Sequence, residues 1–217
     1  MIRRGAAGSF AAGAARPGRK LLSAGDPRQA RKAGGMDSVN IAALVLRLAV
    51  GGTMIAHGWN HAFGGGELPG TARWFESIGI RPGRAHAVFA TVTELGAGGF
   101  LVLGLLTPLA AAGVVGTMLV ALVANHRRNG FFIFRPGEGY EYVLMITAVA
   151  CAIGALGGGD WSADHAIGFG LTGWGGLAVA AAAGSGGAAL LLLTSWRPNV
   201  VPAPAASSTA REPGTGR

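Results

Sequence analysis

Residues 46–66, LRLAVGGTMIAHGWNHAFGGG, decide how the rest of this chain can fold. An apolar run carries one charge, Arg47, in its middle and ends in a polar, aromatic and glycine-rich patch that begins at His57. Inside a membrane, a charged side chain costs roughly 2.5–3.5 kcal/mol on insertion scales and needs a partner. The stretch therefore predicts a membrane helix whose Arg47 is paired with another part of the chain.

The composition places the whole chain in a membrane. Of its 217 residues, 50% are hydrophobic and 13% are charged; soluble domains have a charged share of roughly 25%. The net charge of +8 fits topology signals and anionic lipid, and no recognition motif accompanies it that would indicate nucleic acid. The single cysteine, Cys151, excludes an internal disulfide and a cysteine-rich metal site.

Four apolar segments are long enough, or nearly so, to cross a bilayer as helices. They run over residues 39–57, 86–105, 107–124 and 141–156. Thr107 suits an N-cap and Pro108 a first helical position, so a tight turn is expected between the second and third segments. An Ala- and Gly-rich run at 173–195 predicts a fifth span within residues 166–196. The expected fold is an all-α integral membrane protein, with a four-helix transmembrane core at 38–165 and a fifth C-terminal helix.

Both ends of the chain have the composition of disordered tails. Residues 1–37 are basic and acid-poor and contain no continuous apolar stretch, which is typical of a disordered tail and not of a secretory signal. Met36 stands immediately before the first apolar segment, so translation from that residue is an open alternative. Residues 197–217 are rich in Pro, Ser, Thr and Gly and predict a second disordered tail.

The long loop at 58–85 contains a short helical pattern. Thr71 could cap a helix that carries Trp74, Phe75 and Ile78. Such a helix would lie in the membrane interface or form an ordinary loop helix.

A second charge within the apolar segments, Glu94, is the expected partner of Arg47. Counted along antiparallel helices that rise 1.5 Å per residue, Arg47 lies roughly 12 Å from one membrane face and Glu94 roughly 12 Å from the opposite face. Their depths therefore differ by only about 6 Å in a ~30 Å core. The sequence predicts a buried Arg47–Glu94 pair between the first two spans. The pair could fix the helix register or belong to a proton or quinone site.

The same antiparallel arrangement brings the polar ends of four helices to one membrane face, here called the polar face. The candidate site residues on it are His57, Gly58, Trp59, His61, His126, Asn129, Tyr140 and Glu141. They could bind a quinone head group, bind a metal through His57, His126 and Glu141, or form an interfacial surface that docks a partner. No His-x-x-x-His or Glu-x-x-His spacing supports the metal, and no metal is expected.

Two charge signals disagree on the orientation in the membrane. Eight of the eighteen Lys and Arg lie within residues 1–35, which would place the N-terminus in the cytoplasm and the polar face outside. The loops on the polar face nevertheless carry six arginines, and the loops on the opposite face carry no Lys or Arg. By the positive-inside rule, those loops would place the polar face in the cytoplasm.

Over about residues 40–165 the chain resembles the DoxX family of small bacterial membrane proteins. The resemblance rests on motifs in a fixed order: LRLAVGG, AHGWNHAFG, GTARWFESIGI, TELGAGGFLVLGLLTPLAA, NHRRNGFF and GYEY. One departure concerns HGWNHAFG, in which His61 stands where the family commonly has a Lys. A fixed positive charge is therefore missing there, although His61 could supply a titratable one.

The resemblance implies a multi-pass protein of the bacterial inner membrane that acts as a component of a redox system, linked to thiol, sulfur or quinone chemistry. A soluble oxidoreductase would be its partner, and a quinone its only expected cofactor, since no recognisable cofactor motif is present. A stand-alone enzyme is not expected. The alternatives are a non-catalytic scaffold that docks soluble partners and, less favoured, a small transporter; formation of a homo-oligomer is left open.

Overall fold

The structure, a computed structural model, describes residues 27–198, and describes side chains from residue 35 onward. The regular secondary structure of this part of the chain is helical, and it forms no named strand. The helices are α1 (Pro27–Phe63), α2 (Glu67–Ser77), α3 (Gly83–Leu103), α4 (Thr107–Ala121, continued by a π-helical turn, Leu122–His126), α5 (Glu141–Leu156), α6 (Ala163–Ala166) and α7 (Gly173–Ser195). The prediction of an all-α membrane bundle is confirmed.

Five of these helices are the five predicted spans. Four regions are long and apolar enough to cross a bilayer: Gly35–Phe63, Gly83–Leu103, Thr107–His126 and Gly173–Ser195. The remaining helix of these five, α5, has 16 residues. It reaches about 24 Å at 1.5 Å per residue, slightly less than the hydrocarbon layer. The predicted C-terminal helix is present as α7.

The predictions for the two tails fall mostly outside the described residues, at 1–26 and 199–217. Where the first tail can be compared, the prediction of disorder up to residue 37 is wrong, because α1 already begins at Pro27. Residues 27–38 are polar and small, but they extend a strongly apolar helix, and adding residues to an existing helix costs far less than nucleating a new one.

The bundle is held together by an apolar core among α1, α3, α4 and α5. Its centre is formed by side chains that are almost completely buried, among them Met54, Leu101, Val114 and Ile153. Large apolar side chains on the outer surface, such as Val92 at 64% and Leu193 at 78% exposure, match a hydrocarbon surrounding rather than water.

The fifth span, α7, packs on α4 and α5 through a stripe of small residues. Gly176, Ala180, Gly184 and Ala188 are buried and recur every four residues, so they share one helix face. A Cβ on Gly184 would lie 2.7 Å from the carbonyl oxygen of Ala112. Small side chains permit this close backbone approach, which is how helices pack strongly in lipid.

The chain direction sorts the loops between two membrane faces. The polar face holds loops 64–82 and 127–140, and the opposite face holds loops 104–106 and 157–172. The end of α7 lies at the polar face, where Arg81 N donates to Ser195 O (2.9 Å) and Arg197 N donates to Gly79 O (2.7 Å). The indole N–H of Trp196 also donates to Ile78 O at 3.0 Å. An odd number of spans therefore separates the two ends of the described chain.

The helix predicted in the long loop exists as α2, but Thr71 does not cap it. The helix begins at Glu67, after Gly66 turns the chain at a φ of 132°. Thr71 lies inside the helix, and its hydroxyl donates to His61 O at 3.1 Å. The threonine thus ties α2 to the end of α1.

Candidate functional site

Arg47 is buried, but its partners are backbone carbonyl groups at the opposite face. The residue is 1% exposed, and its guanidinium donates to Gly158 O and, at 2.9 Å, to Trp161 O. The turn after α3 also touches the guanidinium, since a Cβ on Gly104 would collide with it. Among the described residues Arg47 makes no ion pair with a carboxylate. The predicted Arg47–Glu94 pair is wrong.

The helix register explains this error. Gly58, not Arg47, lies against Glu94, because a Cβ on Gly58 would sit 3.1 Å from the Cβ of Glu94. From residue 47 to residue 58 is eleven positions, which corresponds to about 16 Å along the helix. The apolar pattern predicted an end of the first span at His57, whereas α1 continues to Phe63. The extra residues move Arg47 away from the polar face.

A second buried charge, Asp164, completes the network at the opposite face. Its carboxylate accepts hydrogen bonds from Leu106 N (2.6 Å), Thr107 N (2.9 Å) and the Thr107 hydroxyl (2.6 Å). The prediction of Thr107 as an N-cap is wrong: Leu106 precedes the helix, and a carboxylate from loop 157–172 takes over the capping role. Sequence reasoning placed Asp164 in a loop but had no signal for this contact.

Asn40 and Asp160 extend the same network to α1. The Asn40 amide donates to the Asp160 carboxylate at 2.8 Å, and Asp160 N donates back to the Asn40 side chain at 2.9 Å. Together with Arg47 and Asp164, these residues fasten α1, α3, α4 and loop 157–172 to one another. The opposite face is therefore built as a structural clasp, in which each charge has a partner within the protein.

The polar face contains a different arrangement, in which Glu94 meets His61. Glu94 is 3% exposed, and its Oε2 lies 2.9 Å from His61 Nδ1. The two atoms are close enough for an ion pair but are not aligned as a hydrogen bond, so neither has a hydrogen-bond partner among the described residues. The ring of Phe75 stands edge-on to His61, with centroids 6.1 Å apart.

A cavity of about 420 Å³ opens beside His61 at the polar face. It is lined by Asn60, His61, Gly64, Gly65, Gly66, Glu67, Gly70, Thr71, Arg73 and Trp74. One side is thus glycine backbone, and the other is the first half of α2. The cavity leads from the polar face to the imidazole that covers the buried Glu94 carboxylate.

His57 belongs to a different pair, with a residue of α5. Its Nε2 lies 3.2 Å from the hydroxyl of Tyr142 on α5, and the two rings are stacked with centroids 6.3 Å apart. Gly58 faces α3 and permits the close approach of Glu94, while Trp59 is 61% exposed and packs on Phe63. The structure brings none of these three residues into the His61 cavity.

The remaining candidates on the polar face brace loop 127–140. His126, held in the π-helical turn, has Nδ1 2.8 Å from Glu138 O. The Asn129 amide donates to Gly137 O (2.5 Å) and Glu138 O (3.1 Å). The Glu141 carboxylate accepts from a loop N–H at 3.3 Å, and Tyr140 packs edge-on against Phe131. These four residues shape a loop rather than a pocket.

The described part of the chain contains no arrangement of side chains that could hold a metal ion in the way the sequence allowed. His57, His126 and Glu141 each have a different neighbour, and no three His, Cys, Asp or Glu side chains converge among residues 35–198.

Comparison with known proteins identifies a family for part of the chain. The sequence profile of the DoxX family matches residues 42–127, which run from the middle of α1 to the end of the π-helical turn. The match contains Arg47, His57, His61, Glu94 and His126, whereas Asn129, Tyr140 and Glu141 lie beyond it. No curated protein and no solved structure gave a significant match.

Proposed function

Because residues 42–127 make this chain a member of the DoxX family of membrane proteins, we propose that it is the membrane component of a redox system in the bacterial cell membrane. Its own part in that system is to bind the head group of a quinone in the cavity beside His61. The observation that carries this proposal is the buried Glu94 carboxylate, whose Oε2 has an imidazole at 2.9 Å and no hydrogen bond among the described residues.

An unsatisfied carboxylate at this depth is costly. Buried polar groups are nearly always hydrogen-bonded, and ionisable groups inside membranes are rare and functional by default. The clasp at the opposite face shows that this chain supplies close partners to buried charges, as Asp164 receives three hydrogen bonds. Glu94 Oε2, like Nε of Arg47, has no hydrogen bond among the described residues, and for Glu94 a ligand or a transferred proton would account for this.

The cavity suits a flat ring with two carbonyl oxygens. His61 and Asn60 offer donors for a quinone oxygen, and Trp74 offers an aromatic wall. Reduction of a quinone to a quinol takes two electrons and two protons. In this proposal a soluble oxidoreductase supplies the electrons, and His61 with Glu94 passes protons from the polar face. A histidine at the position where the family commonly has a lysine suits proton transfer, since one imidazole nitrogen can accept a proton while the other donates one.

The test is quinone binding to the purified chain in gentle detergent. Decylubiquinone should quench the fluorescence of Trp74, isolated as the difference between the native chain and a Trp74→Phe variant. Glu94→Gln and His61→Gln should weaken binding roughly tenfold or more, since tenfold corresponds to the loss of about one hydrogen bond to a buried group. Undiminished binding by both variants would refute the site.

His57 provides the matched control. It lies one helical turn before His61 on α1 but pairs with Tyr142 on α5. His57→Ala and Tyr142→Phe should therefore bind decylubiquinone as the native chain does. If His57→Ala loses binding as fully as His61→Gln, the ligand lies between α1 and α5 and the proposed cavity is wrong.

A second candidate function, a scaffold for a soluble partner, is favoured by the charge of the polar face. Arginines that lie at this face are Arg73, Arg81, Arg84, Arg127, Arg128, Arg135 and Arg197. Such a surface would attract an acidic oxidoreductase, and its binding would weaken with salt. Recovery of an oxidoreductase at low salt, with unchanged recovery from Glu94→Gln cells and no quinone binding, would favour the scaffold over the quinone site.

A further inference from the structure

Loop 127–140 presents a run of large apolar side chains outward. Phe131, Phe132, Ile133 and Phe134 are exposed by 44%, 45%, 42% and 80%. Phe132 and Phe134 stack on each other at 5.2 Å, and Phe131 packs edge-on against Phe132 at 5.3 Å. Four consecutive exposed apolar residues form a patch that water alone would not favour.

The loop holds this exposed arrangement by an internal hydrogen-bond frame. Tyr140 N donates to Gly130 O (3.1 Å), Glu141 N donates to Phe131 O (2.9 Å), and Gly139 N donates to Phe132 O (3.2 Å). Asn129 and His126 close the base of the loop from the helix end. The apolar side chains are therefore fixed outward by the polar residues that sequence reasoning assigned to a binding site.

Cationic side chains flank the apolar run on both sides. Arg127 and Arg128 precede it and Arg135 follows it, and all three are exposed. Arg127 lies over the ring of Trp196 at 5.2 Å. Arg128 and Arg135 make no ion pair with any residue between 35 and 198, so both guanidinium groups can bind an anion.

The position of loop 127–140 in the bundle indicates that the loop contacts lipid. It joins the polar-face ends of α4 and α5, two neighbouring helices of the bundle, so it lies where the hydrocarbon meets the head groups. Across that boundary an apolar layer changes to a layer of phosphates within a few ångströms. We propose that loop 127–140 inserts Phe132 and Phe134 among the lipid chains and binds the phosphates of anionic lipids through Arg128 and Arg135.

The experiment uses the full chain in lipid nanodiscs. The native thiol is removed by Cys151→Ala, and Ile133→Cys receives an environment-sensitive fluorophore between the two phenylalanines. Lipids carrying a shallow doxyl group should quench this label roughly twofold or more, and aqueous iodide should quench it weakly, as expected for an inserted residue. Strong iodide quenching with little lipid quenching would overturn the proposal.

Two matched variants separate the apolar and charged contributions. Phe132→Ser with Phe134→Ser should move the label into water, reversing the two quenching results. Arg128→Gln with Arg135→Gln should lower the retention of phosphatidylglycerol over phosphatidylcholine, measured by native mass spectrometry, by roughly fivefold or more. Equal retention in that variant and the native chain would overturn the anionic-lipid assignment. Shielding from both quenchers in native membranes, but not in nanodiscs, would indicate a protein on the loop and would also overturn it.

Discussion

Oε2 of Glu94 lies 2.9 Å from Nδ1 of His61, one of two ways in which the α1–α3 pair accommodates buried charge. At the other end of the same pair, Arg47 is bonded to two carbonyl groups of loop 157–172. In the first arrangement neither of these two atoms has a hydrogen bond among the described residues; in the second, both Nη atoms of the guanidinium are bonded and only Nε is not. The two charges therefore belong to separate structures at opposite ends of the α1–α3 pair.

A double-mutant cycle should distinguish these pairings. His61→Ala and Glu94→Gln should be strongly coupled, because removing the imidazole leaves the carboxylate buried without a partner, at a cost of roughly 1–3 kcal/mol. Arg47→Gln and Glu94→Gln should be additive within about 0.5 kcal/mol. The measurement is the unfolding free energy of the detergent-solubilised protein. Strong coupling between positions 47 and 94 would show that α1 and α3 pack in a different register.

Arg47 should be needed for stability and not for ligand binding. Arg47→Ala removes hydrogen bonds from the carbonyl groups of Gly158 and Trp161, each worth roughly 1.5–3 kcal/mol to a charged donor. Arg47→Lys should recover only part of the loss, because one ammonium cannot replace the two-pronged guanidinium. Thermal melting checks stability, and decylubiquinone quenching checks binding in the fraction that stays folded. A variant that melts normally but no longer binds quinone would assign Arg47 to the site instead.

The sequence was sufficient for the spans because apolar length is a local property. Residues 173–195 could be recognised as a helix from composition alone, and α7 has these bounds. Contacts between helices depend on register, which local patterns do not contain. Because α1 continues from His57 to Phe63, Arg47 and Glu94 lie at different depths and each contacts a residue other than the predicted partner.

The sequence placed the candidate residues at one membrane face but did not predict which of them contact one another. Antiparallel helices bring His57, His61 and His126 to one face whatever their detailed packing. Which neighbour each ring meets depends on the detailed packing of the helices: His57 lies near Tyr142 of α5, and His61 lies near Glu94 of α3. The position of Glu94 against α1 depends on Gly58, which permits the close approach of α3. The π-helical turn under His126 had no signal in the sequence.

Asp164, which is distant from α4 in the sequence but bonded to its first turn, should stabilise the start of that helix. Asp164→Ala leaves the first N–H groups of the helix without an acceptor, and we expect a loss of about 1–2 kcal/mol, as for other lost N-caps. Asp164→Asn keeps one oxygen as an acceptor and should lose less. Amide hydrogen exchange of residues 104–109 provides the measurement, with faster exchange expected in the Ala variant. Unchanged exchange would mean that the turn holds its conformation without the carboxylate.

The α1–α3 contact should tolerate no side chain at Gly51. A Cβ on Gly51 would lie 2.7 Å from Gly98 O, so Gly51→Ala must push two backbones apart, at a cost of roughly 1–3 kcal/mol. A Cβ on the adjacent Gly52 would have nothing within 4 Å, so Gly52→Ala is the matched control and should be neutral or slightly stabilising. Melting of the two variants decides the matter. Equal melting would place the close contact elsewhere.

The polar face should lie in the cytoplasm. With α7 ending at this face, Arg197 joins the six arginines of loops 64–82 and 127–140 and of the start of α3, whereas loops 104–106 and 157–172 carry no Lys or Arg. Short loops next to spans dominate orientation, so the positive-inside rule favours this arrangement over the signal from residues 1–35.

Labelling of intact cells with a membrane-impermeant maleimide tests the orientation. In a Cys151→Ala background, Gly65→Cys reports the polar face and Gly170→Cys reports the opposite face; both glycines are exposed and have nothing within 4 Å of an added Cβ. Labelling is expected at position 170 in intact cells and at position 65 only after the membrane is permeabilised. The reverse pattern would show that the N-terminal cations set the orientation, and the arginines of loop 127–140 would then face the outer leaflet.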